Sequence, residues 1–377
     1  MTLNVKKLFK PVIQKAMNKI FQAAIVLVIA TGAIQSFGQA EYIRTVTGRR
    51  IEVDSLDKFI QKSMDSLVIP GLSIAIINDA DMVYHRTFGV KNLDTGIAVD
   101  SNTIFEAASL SKPLFSYFVM KQIEKGVIGL DDPLYKLMPH PAIKDNDKRY
   151  ELITPRMVLS HTTGFPNWSV DKPIEMKFTP GTGFSYSGEA HQYLTALLAV
   201  IQHTNWQSGL DSIFQIDVAR PLGMKRSFYV RNAYTTSNKA TGYFKNGRAK
   251  DSWVDGSISF GGAHSLHTEA ADYARFLIAM INGEGLKKET FDEMLKEQIR
   301  FADDNDLSST GQTGWCLGFA MKPRPYGMRY LHTGSNSGFQ SYCCFNRETK
   351  YGLVLFTNCE KAFELYALIG KYLGDEF

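Results

Sequence analysis

Ser109 and Lys112 stand three residues apart at the head of the run SLSKPLFSYFVMKQIE, and that pair has the makings of nucleophilic chemistry. A serine hydroxyl attacks a carbonyl only when a base takes its proton. A lysine serves as that base only where burial or nearby positive charge lowers its pKa. Leu114, Phe115, Tyr117, Phe118, Val119, Met120 and Ile123 leave the run almost no polar face, which predicts a buried central helix. Pro113 is tolerated only in a first helical turn, so Ser109 belongs at the helix N-terminus. There the spacing puts the ammonium over the hydroxyl, and the helix start offers free N–H groups to a developing oxyanion.

The same S-x-x-K spacing occurs twice more, at Ser55 with Lys58 and at Ser169 with Lys172. Ser55 opens an amphipathic helix and reads as a cap with a solvated lysine. Ser169 lies among Pro166, Asn167, Asp171 and Pro173, which predicts a loop. Only Ser109 leads into a buried helix, although a cap with a snorkelling lysine is the plain alternative even there. His161 falls at the end of a short helix, where an imidazole ordinarily satisfies carbonyls, catalysis being the rarer role. His264 and His267 are spaced to ligate a metal but have no evident third ligand, so no metal or cofactor is expected. Cys316, Cys343, Cys344 and Cys359 fall in strand-like runs and read as small buried hydrophobes, a Cys343 or Cys344 bridge to Cys359 being the alternative.

Residues 1–40 hold five lysines, an apolar run from Ala23 to Ile34 and the small-residue pattern Gly38, Gln39, Ala40. This predicts a cleaved secretory signal peptide and an exported, periplasmic or extracellular, protein. An uncleaved anchor is the rival, but the run falls short of the roughly 20 apolar residues that span a bilayer. Without this segment the formal charge falls from +4 to −1, which removes the electrostatic case for nucleic acid or an anionic membrane as partner.

Residues 41–377 exceed what one hydrophobic core usually serves, which predicts two domains or two subregions sharing a cleft. Residues 54–67 read as a helix and 71–89 as a hairpin across Asn78–Asp81. The chain from 127 to 250 is mostly helix and loop, with Tyr186 projecting just ahead of an apolar helix over 190–201. Helices follow over 268–282 and 287–297, then a polar loop over 301–314, four strand-like runs and a closing helix. The expected class is α+β, an antiparallel sheet formed by both ends of the chain (41–105 and 251–377) around a mainly helical insertion (106–250).

Three motifs in order carry a family resemblance: SLSK at 109–112, Y-S-G at 186–188 and H-T-G at 332–334. They resemble the S-x-x-K, Y-x-N and K-T-G motifs of the serine β-lactamase and penicillin-binding-protein superfamily, closest to its class C branch. PGLSIAI, TIFEAASLSKP, VLSHTTG, PGTGFSYS and FGGAHSLHTEAADYARFL extend the likeness over residues 54–373. The resemblance implies that Ser109 is acylated, that Lys112 holds its proton network and that Tyr186 is general base, then acid. It also implies an oxyanion hole from the Ser109 and Ser335 N–H groups, with His332, Gly334 and Ser335 lining the substrate. Two positions depart from the pattern. Gly188 replaces the motif's asparagine, and His332 replaces its lysine, exchanging a permanent charge for an imidazole of ordinary pKa near 6.5. The expectation is therefore an exported serine hydrolase acting on a small ester or amide. The alternatives are a β-lactamase or D,D-carboxypeptidase, and a non-catalytic sensor on the same fold.

Overall fold

The computed structural model describes residues 41–250, 253 and 257–375. Residues 1–40, to which the signal-peptide expectation refers, lie outside that set.

The chain opens with a small ribbon, β1 (Tyr42–Arg44) and β2 (Arg50–Glu52), followed by helix α1 (Val53–Leu67). The hairpin β3 (Gly71–Asn78) and β4 (Asp81–Gly89) comes next. After β5 (Phe105–Glu106), a 3₁₀ turn over Ala108–Leu110 runs into α2 (Ser111–Glu124). The middle of the chain holds α3 (Pro155–Leu159), α4 (Gly188–Ile201), α5 (Ser208–Phe214) and α6 (Ala233–Asn238). Strand β6 (His267–Thr268) and helices α7 (Ala270–Asn282) and α8 (Lys288–Leu295) lead to the final sheet segment. That segment comprises β7 (Ile299–Arg300), β8 (Gly314–Trp315), β9 (Ala320–Arg324), β10 (Gly327–Asn336), β11 (Phe339–Asn346) and β12 (Tyr351–Thr357), closed by α9 (Ala362–Tyr372).

Eight strands form one antiparallel sheet in the order β4-β3-β12-β11-β10-β9-β8-β7. An antiparallel sheet built from both ends of the chain and flanked by helices is the α+β architecture that the sequence predicts. Its central strands are buried on both faces, and the pleat decides which layer each side chain joins. Ala75, Ile77, Cys343, Val354 and Phe356 face a core shared with α2, α4 and α7. Leu72, Ile74, Ile76, Cys344, Leu353 and Leu355 face the other, packed by α1 and α9. Cys343 and Cys344 thus point to opposite layers, and all four cysteines are free and buried.

Helix α2 is buried from Ser111 to Met120, as an all-round apolar helix must be. The turn before it is tied down on several sides. Leu266 O accepts from Ala107 N–H at 2.8 Å, Tyr273 Oη donates to Leu110 O at 2.9 Å, and Tyr229 Oη donates to Ser111 O at 2.7 Å. Ala108 is held at φ +52°, a left-handed conformation that costs an alanine energy and persists because these bonds over-determine it.

Strand β10 passes directly beside this turn. Its pairing with β9 ends at Leu331, so His332 to Asn336 form an edge on that side. Gly334 is where the approach is closest: a Cβ there would lie 2.6 Å from Ala107 O and 2.2 Å from Ser341 Oγ. No residue but glycine lets the strand come so near the Ser109 backbone.

Candidate active site

Ser109 lies in the 3₁₀ turn, two residues before α2 begins. Side chains three apart eclipse in such a turn, and Lys112 Nζ donates to Ser109 Oγ at 3.2 Å. The same ammonium donates to Ala263 O at 2.8 Å. Lys112 is 1% exposed, and burial alone brings its pKa down to about 7. A cavity of about 960 Å³ opens onto Ser109 and is lined also by Tyr186, Trp315, His332 and Ser335.

Tyr186 sits just before the α4 N-cap, Ser187, whose side chain accepts from Ala190 N–H. The Lys112 ammonium lies 4.6 Å from the centre of the Tyr186 ring. Burial raises the phenol's pKa, with a hydrogen bond to Ser109 acting the other way. His332 supplies no charge that would offset this burial. Burial, then the Lys112 charge, pushes that imidazole down to about 3. His332 Nδ1 lies 2.7 Å from Thr333 O; a carbonyl only accepts, so Nδ1 carries the hydrogen and Nε2 the lone pair.

All six residues singled out from the sequence thus meet in one place. Ser109, Tyr186, His332 and Ser335 line the cavity, Lys112 lies beneath, and Gly334 lets the strand approach. The other two S-x-x-K copies do not join them. Ser169 Oγ donates to the Glu189 carboxylate at 2.9 Å, and Ser55 lies in the first turn of α1.

Several residues enter the site unannounced by any local pattern. Trp315 stands edge-on to His332 at 5.4 Å and to His161 at 5.1 Å between ring centres. Phe184 and Phe178 extend the aromatic lining, and the polar loop contributes Asp304, Asn305, Asp306 and Gln312 to the same cavity. Trp168 explains Gly188. A Cβ at 188 would lie 2.4 Å from the Trp168 indole, so the ring occupies the space that a side chain would need. The nearest signal in the sequence is composition: Trp315 opens the first strand-like run after the polar loop.

His161 follows α3, but its imidazole caps no helix carbonyl: Nδ1 accepts from Ser187 N–H at 3.0 Å, and the ring is stacked on Tyr186, centres 4.3 Å apart. His161 and His191 are buried and held well below the ordinary imidazole value, by burial first and then by neighbours that include Lys112. Both are neutral at physiological pH. Among the described residues no cluster of three or more His, Cys, Asp or Glu is placed to hold a metal ion. No helix among them is long and apolar enough to cross a membrane.

Comparison with known proteins gives the family and the fold. The sequence model of the Beta-lactamase family matches residues 56–370. Protein flp of Staphylococcus aureus (strain MW2) is 22% identical over 331 residues, covering 80% of this chain and 62% of that protein. The chain therefore spans less than two thirds of that relative's length. Esterase EstB of Burkholderia gladioli is 23% identical over 204 residues, 46% of this chain and 51% of the esterase. Among solved structures, the octameric penicillin-binding protein homologue from Pyrococcus abyssi superposes with a TM-score of 0.71 at 23% identity, covering 86% of this chain and 78% of that one. The D-alanine carboxypeptidase AmpC from Burkholderia cenocepacia gives 0.70 at 21% identity, covering 85% and 100%. At such identities the structural likeness speaks for the fold.

Proposed function

The chain belongs to the beta-lactamase family, a serine hydrolase superfamily, and on that premise we propose that it hydrolyses a neutral ester or small amide through an acyl-enzyme on Ser109. The observation that carries this reading is a lysine tuned to about pH 7 and hydrogen-bonded to the serine at 3.2 Å, in a site where the His332 imidazole is neutral. The Lys112 amine takes the Ser109 proton as Oγ attacks the carbonyl carbon. The N–H groups of Ser109 and Ser335 receive the oxyanion. As the carbonyl–oxygen bond of the ester breaks, the Tyr186 phenol gives its proton to the leaving oxygen, and the Lys112 ammonium returns a proton to the phenolate. Water then releases the acid by the reverse sequence, so ester and water yield acid and alcohol.

This assignment gives the base's role to Lys112 rather than Tyr186, because burial lowers the one pKa and raises the other. Neutral substrates follow from His332. With a lone pair on Nε2 and no charge, it offers a carboxylate nothing. The wall of Phe178, Phe184, Tyr186 and Trp315 suits an apolar acyl or alcohol group.

A second reading, action on D-alanine-ended peptides or β-lactams, draws support from the carboxypeptidase of the same fold. Labelling with a fluorophosphonate and, in parallel, with a fluorescent penicillin separates the two. Reaction with the fluorophosphonate alone supports the ester reading, reaction with both supports the second, and reaction with neither supports a non-catalytic protein. The basic and apolar run in residues 1–40 supports export, which fractionation with N-terminal sequencing of the mature protein checks.

A further inference from the structure

Tyr186 has no regular secondary structure of its own, yet the proposed reaction needs its phenol held against Ser109. What holds it is one residue from a distant part of the chain. The backbone carbonyl of His161 accepts from Ser185 N–H at 2.9 Å. Its Nδ1 accepts from Ser187 N–H at 3.0 Å. Between these two bonds the imidazole lies stacked on the Tyr186 ring, with planes 29° apart. His161 thus grips the residue before the tyrosine, the residue after it and the ring itself.

The grip is itself braced. Trp315 and Phe184 stand edge-on to the imidazole, at 77° and 80°. His191 Nδ1 donates to Ser187 O at 2.9 Å, so two imidazoles hold the same residue, one at its N–H and one at its C=O. His161 stands at φ +59° as the left-handed residue that ends α3, its N–H donating to Val158 O at 3.2 Å and the Thr162 N–H to Met157 O at 2.9 Å, so the helix cap fixes the backbone from which the imidazole reaches Tyr186. A histidine serving only as a helix cap has no need of the stack or of the bond from Ser187 N–H.

We propose that His161 is the positioning residue for Tyr186, acting as a neutral imidazole whose stack and two flanking hydrogen bonds aim the phenol at the departing oxygen. The inference rests on the reading of Tyr186 as proton donor to the leaving group. Its consequence is specific. Misaiming the phenol harms esters whose alkoxide cannot leave without a proton and spares those whose leaving group is stable as an anion.

Two variants separate the parts of the grip. His161→Phe keeps a ring to stack and loses the Nδ1 acceptor. His161→Asn keeps an acceptor, tolerates positive φ and loses the ring. For each, and for Tyr186→Phe, kcat/KM is measured on an ethyl ester and on the p-nitrophenyl ester of the same acid, because this ratio reports steps through acylation. Tyr186→Phe should lower the ethyl-to-p-nitrophenyl ratio by about 10² or more, the range for a positioned proton-transfer group, and each His161 variant by about tenfold, as a phenol misplaced but still present would. If Tyr186→Phe shifts the ratio and both His161 variants lower the two esters equally, His161 is a structural residue and the inference fails alone. If Tyr186→Phe leaves the ratio unchanged, the proton-donor reading fails and takes the inference with it. Should one His161 variant not fold, the other decides.

Discussion

Lys112 and His332 are both buried bases of the same site, one on the central helix and the other on a strand of the sheet. Burial acts on them identically, penalising the charged form. It carries the lysine from its ordinary value to about 7 and the histidine to about 3. The first stops where a proton can be exchanged at physiological pH. The second passes far below it and leaves an imidazole that behaves as a neutral polar group. One force thus makes a base on one wall and removes a charge from the other, because the two side chains begin some four units apart.

The largest effect should come from removing the tuned amine. Lys112→Met is expected to slow fluorophosphonate labelling by about 10² to 10⁴, and to raise the melting temperature by taking an ionisable group out of the interior. The sign of its pH dependence follows from linkage. Below about 7 the lysine is charged in both states, and the full cost of burying that charge weighs on the fold. Between there and its ordinary value only the unfolded chain holds the proton, so wild-type stability climbs with pH and the variant's advantage shrinks. Calorimetry at pH 6 and pH 9 checks this. An advantage that grows with pH would contradict it.

Next in size is the conversion of one wall into the other. His332→Lys should raise turnover of anionic β-lactam or D-alanine-ended substrates by one to two orders of magnitude, on the order of what a nearby charge contributes to a desolvated carboxylate, while neutral esters stay flat or decline. A second amine beside Lys112 should also move the pH midpoint of ester hydrolysis downward. An unchanged midpoint would mean that the two residues do not feel each other.

A smaller effect sharpens the same contrast. Because His332 does not titrate near neutrality, the wild-type ratio of anionic to neutral substrate turnover should vary less than about twofold between pH 5.5 and pH 8 beyond what Lys112 imposes on both. A ratio that falls as pH rises through 6.5 would show a histidine cation at work.

The smallest belongs to Ser169, which shares the S-x-x-K spacing but not the burial. Ser169→Ala should leave labelling unchanged and cost about 1 kcal/mol of stability through its lost bond to Glu189. Loss of labelling in that variant alone would move the nucleophile.

The part of the site that is legible in the sequence is the part encoded by local spacing. Ser109 and Lys112 share a turn, Gly334 stands between His332 and Ser335 on one strand, and Tyr186 precedes a helix. Alternation along β11 likewise foretells that Cys343 and Cys344 face opposite layers. What the sequence does not convey is set by packing between distant segments. The stack of His161 on Tyr186, the Trp168 indole over Gly188 and the edge-on Trp315 each join residues from separate elements. The protonation states belong to the same class. An imidazole of ordinary pKa is the natural reading of His332 in a sequence, and only its burial beside Lys112 makes it permanently neutral.

The central claim is that Ser109 is acylated with the Lys112 amine as its base. The most direct test is the rate of fluorophosphonate labelling from pH 5 to pH 9, with the modified residue identified by peptide mass mapping. The expected result is a single adduct on Ser109, forming at a rate that rises with pH and levels above about 7, as the amine loses its proton. An adduct on another residue, or a rate on Ser109 that is flat through neutrality and climbs only as a phenol ionises, would contradict it.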